Sequence, residues 1–335
     1  MKSYYKQYNF VLEILAPLHI GCGEIYTQKE YIYENKAFYF PDIELLYKKI
    51  CQNNSNNQRK FESFLLKNAN NNSVKARLVD FLNDSRIRER DFAGYRIEEH
   101  GFESERSGKL NEIRKFVRDP YGNPYIPGSS LKGAIRTILV NEYFHDEKNI
   151  LWGGRKGQKF NDIFHEIYVS DSQPLKNENL ALVQKWDYSP IKNEAKPLPV
   201  FRESLKPLVT VQFKVQTNTK EADELFSLLK KLSKQFFIRY KEKLLTKVPA
   251  RYYQKNIFFP IYLGAGSGIW TKTNIDKVDL SRFSRGKLKM KREGTLKLTK
   301  YRQVKYKYKN EIRTLIRNNE NFYEMGKANF FYKEI

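Results

Sequence analysis

The chain has 335 residues, 61 basic against 38 acidic side chains for a formal charge of +23, and an apolar fraction of 40%. This much apolar sequence excludes a wholly disordered chain, and the length predicts two domains at roughly 100 to 200 residues each. No run approaches the ~18 apolar residues that a membrane helix needs, the first residues show no signal-peptide pattern, and two cysteines provide neither a disulfide framework nor a zinc site. We therefore expect a soluble, cytoplasmic protein without a membrane partner, a metal or a cofactor.

The excess of positive charge is the strongest compositional signal. It favours a polyanionic partner, which is a nucleic acid, an anionic membrane surface or an acidic protein. Asparagine-rich runs at 53–57 and 70–72 also indicate a codon-biased genome that enriches Lys and Asn together. Such a bias does not explain the imbalance between basic and acidic residues, so a nucleic acid is the favoured partner.

The first part of the chain begins with strands and continues into helices. Alternating apolar residues predict strands at Tyr8–Leu15 and Tyr31–Phe40, separated by the glycine turn Gly21-Cys22-Gly23. From residue 42 to about residue 118 helical runs and Asn-rich links predict a helical insertion, with a polar loop at Ile97–Asn111. The helical runs are Asp42–Ile50, Arg59–Leu66 and Val74–Leu82.

The remaining elements alternate between helices and strands. A helix follows Ile126-Pro127-Gly128, with Ser129 or Ser130 as its N-cap, and Glu221–Leu245 has the clearest amphipathic helical pattern. The predicted strands are Ile163–Ser170, Ala181–Trp186, Leu208–Gln216, Ile257–Leu263 and Asn329–Lys333.

This order of elements predicts an α+β fold with two ferredoxin-like, or RRM-like, domains. We expect the first domain to span residues 1–205, with the helical insertion at about 42–118. The second domain spans residues 206–335 and contains the glycine-rich loop 264–268.

Two glycine turns are candidate anion sites because glycine lets the backbone approach a ligand and point its N–H groups at phosphate oxygens. The candidate residues are Gly21, Gly23, Gly264, Gly266 and Gly268, with Trp270 and Lys272 directly after the second turn. Neither turn has the spacing of a dinucleotide fingerprint or a P-loop. Tight connections that bind no ligand are the alternative interpretation.

The helix that begins near Ser129 and Ser130 is a second candidate site. Its free N–H groups and its dipole favour an anion, and Lys132 and Arg136 lie on one face because they are four residues apart. A phosphate held by the helix end and both cations is the functional interpretation. A solvated basic face is the alternative.

Histidine chemistry offers little support for an enzyme. His19 lies beside the first glycine turn, where it is a candidate RNA contact or a general base assisted by Lys29 or Tyr26. The other histidines are scattered, and the sequence contains neither metal-ligand spacing nor a serine nucleophile elbow. We therefore predict no catalytic residue.

Four segments together resemble the RAMP superfamily of CRISPR-associated RNA-binding proteins. They are Leu18–Glu24, Tyr125–Thr137, Phe201-Arg202-Glu203 and Leu263–Gly268. The Ile-Pro-Gly-Ser-Ser-Leu-Lys-Gly run within the second segment is highly specific, and the other three gain weight from their order. Within the superfamily, the chain is similar to the subunit of the type III-A Csm effector complex that caps the 3′ part of the guide RNA (crRNA).

This resemblance implies a non-catalytic crRNA-binding subunit with two RRM-like domains that is needed for 3′ maturation of the guide in antiviral defence. Implied partners are crRNA, the adjacent backbone RAMP subunit, the small helical subunit of the Csm complex and host processing nucleases. The backbone subunits cleave target RNA with an Asp after the first strand, whereas residues 21–31 contain no Asp. That absence fits a capping role.

On this interpretation Lys132, Arg136, Arg202 and Lys272 neutralise phosphates, while Tyr26 and Trp270 stack on bases. Two other functions stay open. The first is a metal-independent RAMP endoribonuclease that processes crRNA precursors with His19 as base, and the second is a general basic rRNA-binding protein. The basic stretch Arg282–Arg317 is an RNA-contacting tract, a docking arm for acidic partners such as nucleases, or a solvated face.

Overall fold

The computed structural model describes most of the chain. The described residues are 4–53, 55–66, 76–87, 92–100, 110, 112–144, 162–190, 192–253, 258–272, 295–301, 304–308, 311–315 and 322–335. None of the helices in these ranges is both long enough and apolar enough to span a membrane.

The described residues form a mixed α/β fold. In chain order the strands are β1 (Lys6–Ile14), β2 (Gly21–Tyr26), β3 (Ile32–Glu34), β4 (Ala37–Phe40), β5 (Tyr95–His100), β6 (Ile113–Phe116), β7 (Ile167–Val169), β8 (Leu180–Ser189), β9 (Glu194–Leu205), β10 (Thr210–Thr217), β11 (Pro260–Tyr262), β12 (Leu296–Lys300), β13 (Val304–Tyr308), β14 (Glu311–Leu315), β15 (Phe322–Glu324) and β16 (Lys327–Glu334). The α-helices are α1 (Ile43–Asn53), α2 (Ser55–Leu66), α3 (Leu78–Asp84), α4 (Gly128–Glu142), α5 (Lys220–Ser227) and α6 (Leu229–Lys243).

The first sheet has five antiparallel strands in the order β11-β16-β1-β10-β7. Apolar residues alternate along β1, so Tyr8, Phe10 and Leu12 point to one face and are buried. Helices α4, α5 and α6 supply the side chains that cover this face. Burial of each large apolar side chain contributes about 1.5–3 kcal/mol, which holds the helices on the sheet.

The second sheet has the strand order β2-β6-β9-β8-β5-β4-β3, and β12 pairs with the last part of β8 and with β15. Helices α1, α2 and α3 follow β4 and pack around a separate apolar cluster that includes Leu46, Phe61 and Phe81. Strands β13 and β14 pair with each other.

Two predictions for the region after β1 were wrong in detail. The turn Gly21-Cys22-Gly23 is the start of an edge strand, β2, which pairs with β6 across an irregularity between Gly21 and Ile25. The predicted strand Tyr31–Phe40 is a hairpin of β3 and β4, because Asn35 and Lys36 have positive φ values of 51° and 59° and form the two-residue turn.

Among the described residues of the predicted helical insertion at 42–118, the helices end at Asp84. Strands β5 and β6 lie in its second part, and they join the second sheet through parallel pairing with β8 and β9. The predicted loop Ile97–Asn111 overlaps the end of β5, and residues 101–109 and 111 lie outside the described residues.

Three further boundaries differ from the sequence prediction. Residues Ile163–Glu166 form a 3-10 helix rather than a strand, because the Asp162 side chain accepts a hydrogen bond from the Phe164 N–H. The amphipathic run Glu221–Leu245 is two helices that meet at Leu228. The helix predicted to begin at Ser129 or Ser130 begins at Gly128, after Pro127.

Both sheets combine strands from distant parts of the sequence. The first sheet contains β1 and β7 from residues 1–205 together with β10, β11 and β16 from residues 206–335, and the second sheet adds β12 and β15 to strands from the first part. The predicted division at residue 205 therefore does not coincide with a boundary between the sheets.

Candidate nucleic-acid interface

The two predicted glycine segments lie against each other. The Ala265 N–H donates a hydrogen bond to the His19 carbonyl oxygen at 2.8 Å. Gly264 has φ of +81°, and a Cβ there would lie 2.4 Å from that same carbonyl oxygen. Only glycine fits this conformation and this approach without strain. The loop 264–268 is thus fixed on the segment that leads into β2.

Arg202 of β9 is buried beneath this loop. A Cβ on Gly266 would lie 2.4 Å from the Arg202 Nη1 atom, and Gly266 has φ of +92°. The side chain makes one weak contact, from Nη1 to the Met325 Sδ atom at 3.7 Å, and its Nε has no hydrogen-bond partner among the described residues. Burial, followed by the charge of Arg114, lowers the pKa of Arg202 to about 10.

A second arginine lies beside Arg202. Arg114 of β6 is directly opposite Arg202 in the parallel pairing of β6 with β9, and Ile25 of β2 is opposite Arg114 on the other side. Like charges directly opposite each other on neighbouring strands are destabilising. No described residue forms an ion pair with either arginine, so a bound anion would remove an electrostatic cost that the protein otherwise carries.

Glu203, the next residue along β9, does not neutralise Arg202, because successive side chains of a strand point to opposite faces. The Glu203 carboxylate is fully buried, and it accepts hydrogen bonds from the Tyr95 hydroxyl group at 2.6 Å and the Phe116 N–H at 2.7 Å. It also forms an ion pair with Arg118 at 3.2 Å. The two neighbouring charges on β9 therefore have different environments: one is compensated and the other is not.

Lys272 is the third member of a group of cations, which is Arg114, Arg202 and Lys272. We call this group the anion cluster because it is the candidate site for a bound anion. The Lys272 Nζ donates a hydrogen bond to the Gly264 carbonyl oxygen at 2.6 Å. Burial, followed by the charge of Arg202, lowers the pKa of Lys272. The charge of Asp187 acts to raise the pKa of Arg202, but the Asp187 carboxylate is itself paired with Lys297 at 2.6 Å and Lys185 at 3.5 Å.

His19 lies beside the anion cluster but does not reach the surface. It is 1% exposed, and its Nδ1 lies 2.6 Å from the Glu203 carbonyl oxygen. Burial lowers the pKa of His19 to about 4, so the imidazole is neutral at pH 7. The imidazole packs against the backbone at Gly21 instead, so closely that a Cβ on Gly21 would lie 2.9 Å from its Nε2.

The remaining predicted residues near the two glycine segments differ in accessibility. Gly21 and Gly23 are exposed on β2. Gly268, with φ of +90°, lies beside the Lys297 side chain. Trp270 is half-buried against the apolar cluster around Trp186.

Tyr26 packs against neighbouring side chains rather than presenting a free ring on which a base could stack. Its ring centroid lies 4.4 Å from that of Phe40, and the Lys115 Nζ lies 4.2 Å from the ring centroid. Its hydroxyl group lies 2.8 Å from the hydroxyl group of Tyr95. Burial, followed by the charge of Glu203, raises the pKa of Tyr26.

The start of helix α4 is separate from the anion cluster in its contacts. The Asp171 carboxylate accepts a hydrogen bond from the Gly128 N–H at 2.7 Å, so one N–H group at the start of the helix already has a protein acceptor. Ser129 and Ser130 follow in the first turn.

The two cations of α4 have partners in the same region. Arg136 is paired with Asp162 at 2.6 Å and lies over the Phe164 ring, and the Lys132 Nζ lies 5.9 Å from the centroid of Tyr168 on β7. Strand β7 is at the opposite edge of the first sheet from β11, which leads into the glycine loop. The structure therefore brings together the two glycine segments, Arg202 and Lys272, whereas the cations of α4 contact residues in and next to β7.

Arg114 is the site residue that the sequence did not reveal. It lies in β6, a strand that sequence periodicity did not distinguish from the helical insertion around it. The alternation Ile113-Arg114-Lys115-Phe116 was a short strand signal, but only the pairing of β6 with β9 places it beside Arg202.

Comparison with known proteins identifies the family of the chain. A family model described as the RAMP superfamily matches residues 11–290, which is most of the chain. The chain therefore belongs to the RAMP superfamily.

Its relatives within the superfamily are Csm5 proteins. The chain is 48% identical to "CRISPR system Cms protein Csm5" of Streptococcus thermophilus, over 100% of this chain and 99% of the relative. It is 27% identical to the protein of the same name from Mycobacterium tuberculosis, over 84% of this chain and 87% of the relative.

Solved structures share the fold. A chain in the cryo-EM structure of a Csm–crRNA–target RNA ternary complex from a type III-A CRISPR-Cas system aligns with a TM-score of 0.64 and 17% identity, over 98% of this chain and all of the other. The crystal structure of T. onnurineus Csm5 aligns with a TM-score of 0.59 and 18% identity, over 95% of this chain and 99% of the other. At these identities the alignments establish the fold alone.

Proposed function

We propose that this protein is a non-catalytic crRNA-binding subunit of a type III-A Csm effector complex, which caps the 3′ part of the guide and is needed for its 3′ maturation in antiviral defence. The observation that carries this proposal is Arg202, a buried cation without a carboxylate partner among the described residues, opposite Arg114 and beneath a glycine loop. A phosphate of the RNA backbone supplies the missing negative charge. The 48% identical Csm5 relative and the crRNA-containing complex with the same fold support the choice of ligand.

The chemistry of the anion cluster favours recognition that does not depend on base sequence. Arginine guanidinium groups and backbone N–H groups bind phosphates, and phosphate contacts position a strand without reading its bases. If about six phosphates are bound, the logarithm of the association constant falls with the logarithm of salt concentration at a slope near −4, from about 0.7 per phosphate on single strands. A guide-binding subunit needs this tolerance because the spacer sequences of guides vary.

We propose a non-catalytic role because the candidate general base, His19, lacks access to a substrate. His19 is buried with its Nδ1 at the Glu203 carbonyl oxygen, so it does not reach a 2′-hydroxyl group. Lys29, which was considered as an assisting group, donates a hydrogen bond to the Leu65 carbonyl oxygen at 2.7 Å on α2. The contacts of both residues are structural.

The fold supports an RRM-like description of the first sheet. Apart from the edge strand β11, which lies between α6 and β16 in the chain, its elements are β1, α4, β7, β10, the pair α5 and α6, and β16. This is the βαββαβ order of the ferredoxin-like motif. We propose that these elements form one such domain, which begins and ends with the chain. The strands of the second sheet are then inserted between its elements.

We further propose that the partners are crRNA, the adjacent backbone RAMP subunit and the small helical subunit of a Csm complex, with processing nucleases as transient partners. The basic stretch 282–317 is a candidate for nuclease docking. Of this stretch, residues 282–294, 302–303, 309–310 and 316–317 lie outside the described residues. Strands β13 and β14 are the described pair within it.

The test is RNA binding by a variant of the anion cluster. Fluorescence anisotropy with labelled crRNA would compare the wild type with the double variant Arg114→Ser/Arg202→Met. We expect the variant to bind at least about 10-fold more weakly, with a salt slope that is less steep by about 1.4, since two phosphate contacts are lost. A matched control is Lys231→Gln/Lys241→Gln, which removes two exposed charges from α6. Equal losses in both variants would refute a specific site and leave only the general charge.

A further inference from the structure

On the face of the first sheet opposite helices α4–α6, the side chains of Asn9, Lys214 and Lys333 are exposed. The register of the strands places Asn9 and Val11 of β1 in the middle of this face, with Gln212 and Lys214 of β10 on one side. Residues of β16 flank β1 on the other side, and Tyr168 of β7 lies beside Gln216 at the edge. We call this surface the open face; the register places on it Gln7, Asn9, Val11, Glu13, Tyr168, Thr210, Gln212, Lys214, Gln216, Asn329, Phe331 and Lys333.

Two lysines lie in one row of the open face. Asn9 is opposite Lys214 on one neighbouring strand and opposite Lys333 on the other. Both lysines and Asn9 are exposed. Among the described residues of the three central strands, Glu13 is the one carboxylate whose register places it on this face, at the end of β1 that leads to His19. The middle of the face is therefore positively charged.

Two aromatic side chains also lie on the open face. Tyr168 is 51% exposed and Phe331 is 40% exposed, so both rings are accessible to a ligand. Phe331 is opposite Val11 in the register of β16 with β1. The Lys132 Nζ lies 5.9 Å from the centroid of the Tyr168 ring, so a cation accompanies this ring as well.

This combination fits RNA better than a protein partner. The cores of protein–protein interfaces are depleted of lysine, whereas here two lysines flank the central strand. Single-stranded RNA stacks its bases on aromatic side chains of a four-stranded sheet and places its phosphates near cations. Asn9, Gln212 and Gln216 add amide groups that donate and accept hydrogen bonds at base edges.

We propose that the open face is a second single-stranded RNA-binding surface, which holds bases of the same guide strand whose backbone binds the anion cluster. This inference rests on the proposed function for the identity of the strand. Strand β1 connects the two surfaces, since it crosses the open face and ends five residues before His19. Tyr168 and Phe331 stack on bases, and Lys214 and Lys333 bind phosphates.

The experiment uses the full-length protein and a labelled uridine homopolymer of about 20 nucleotides, which is long enough to cover more than one surface. Ultraviolet cross-linking followed by mass spectrometry should identify Tyr168 and Phe331 among the cross-linked residues. The variant Tyr168→Ser/Phe331→Ser should bind the RNA at least about 10-fold more weakly, because each stacked base contributes about 1–3 kcal/mol. The variant Lys214→Gln/Lys333→Gln should reduce the salt slope by about 1.4, whereas Lys231→Gln/Lys241→Gln should leave the affinity unchanged.

Each outcome separates this inference from the proposed function. If the open-face variants bind RNA like the wild type while Arg114→Ser/Arg202→Met binds weakly, the second surface is wrong and the anion cluster stands. If the open-face variants bind weakly while the cluster variant is unaffected, the cluster is wrong and the open face stands. Open-face variants that bind RNA normally but no longer assemble with other Csm subunits would show a protein interface and overturn the inference.

Discussion

Replacement of Arg202 by methionine should stabilise the free protein and weaken its binding to RNA. Burial holds the pKa of Arg202 at about 10 against its ordinary value of 12.5, and at 1.36 kcal/mol per pKa unit this costs the folded protein about 3 kcal/mol. Methionine keeps an unbranched apolar side chain beneath Gly266 and removes the charge. Even a buried ion pair can often be replaced by well-packed apolar groups with no loss or with a gain of about 1–4 kcal/mol. Arg202 has no ion-pair partner to lose, so we expect the free energy of unfolding to rise by about 1–3 kcal/mol at pH 7.

The assay is urea unfolding of the RNA-free protein, followed by fluorescence, together with crRNA binding by the same preparation. Because the folded-state pKa is depressed, the cost of the charged guanidinium is fully present below pH 10 and declines above it. The stability advantage of Arg202→Met should therefore be constant from pH 6 to pH 9. Arg202 would be a structural residue, and the reasoning wrong, if the variant were less stable than the wild type by more than about 1 kcal/mol.

Arg118→Met is the matched control and should have the opposite sign. Arg118 forms an ion pair with the fully buried Glu203 at 3.2 Å, and its guanidinium lies 4.2 Å from the centroid of the Tyr95 ring. Its removal leaves a buried carboxylate without a cation, which typically costs about 3–5 kcal/mol. A similar change in both variants would show that the compensated and uncompensated arginines are not distinguished by their partners.

Three further predictions concern the same region. Gly266→Ala should lower the free energy of unfolding by about 1–3 kcal/mol and weaken RNA binding, because a Cβ at φ of +92° meets the Arg202 Nη1 atom. The control Gly133→Ala, on the exposed face of α4, should raise the free energy of unfolding by about 0.5–1 kcal/mol. Urea unfolding measures both variants, and an unchanged stability of Gly266→Ala would refute the close approach. His19 has a pKa of about 4 in the folded protein and 6.5 when unfolded, so the unfolded chain binds more protons below pH 6.5. The free energy of unfolding of the wild type should therefore fall by about 2 kcal/mol between pH 7 and pH 5. The variant His19→Gln should lack that loss when unfolded at the two pH values, and an equal loss would contradict the burial argument. Lys327→Met removes the cation that is paired with the buried Glu324 and should cost about 3–5 kcal/mol of stability. The double variant Lys327→Met/Glu324→Gln should recover much of that loss. Thermal unfolding of the wild type and both variants measures this, and no recovery in the double variant would show that the ion pair is not the cause.

Local patterns in the sequence determined the elements whose apolar residues repeat with one period. The alternation in β1 and β10 and the helical spacing in α1, α2 and α4 appear in the structure within a few residues of the predicted positions. The sequence motifs also singled out Arg202 and Lys272, which are two of the three residues of the anion cluster. Glycine at a close approach and cations beside it leave a signal in the sequence itself.

Tertiary structure alone decided which of these residues act together. Among the described residues the charge on Arg202 is uncompensated, because Glu203 points to the other face of β9 and Arg114 lies opposite Arg202 on β6. The position of Arg114 depends on a parallel pairing between strands 80 or more residues apart in sequence. The same holds for the start of α4, where the Asp171 carboxylate accepts a hydrogen bond from the Gly128 N–H, and for His19, whose imidazole is buried. Sequence specifies which charges and backbone shapes a chain possesses, but long-range strand pairing determines whether each charge finds a partner within the protein or is left for a ligand.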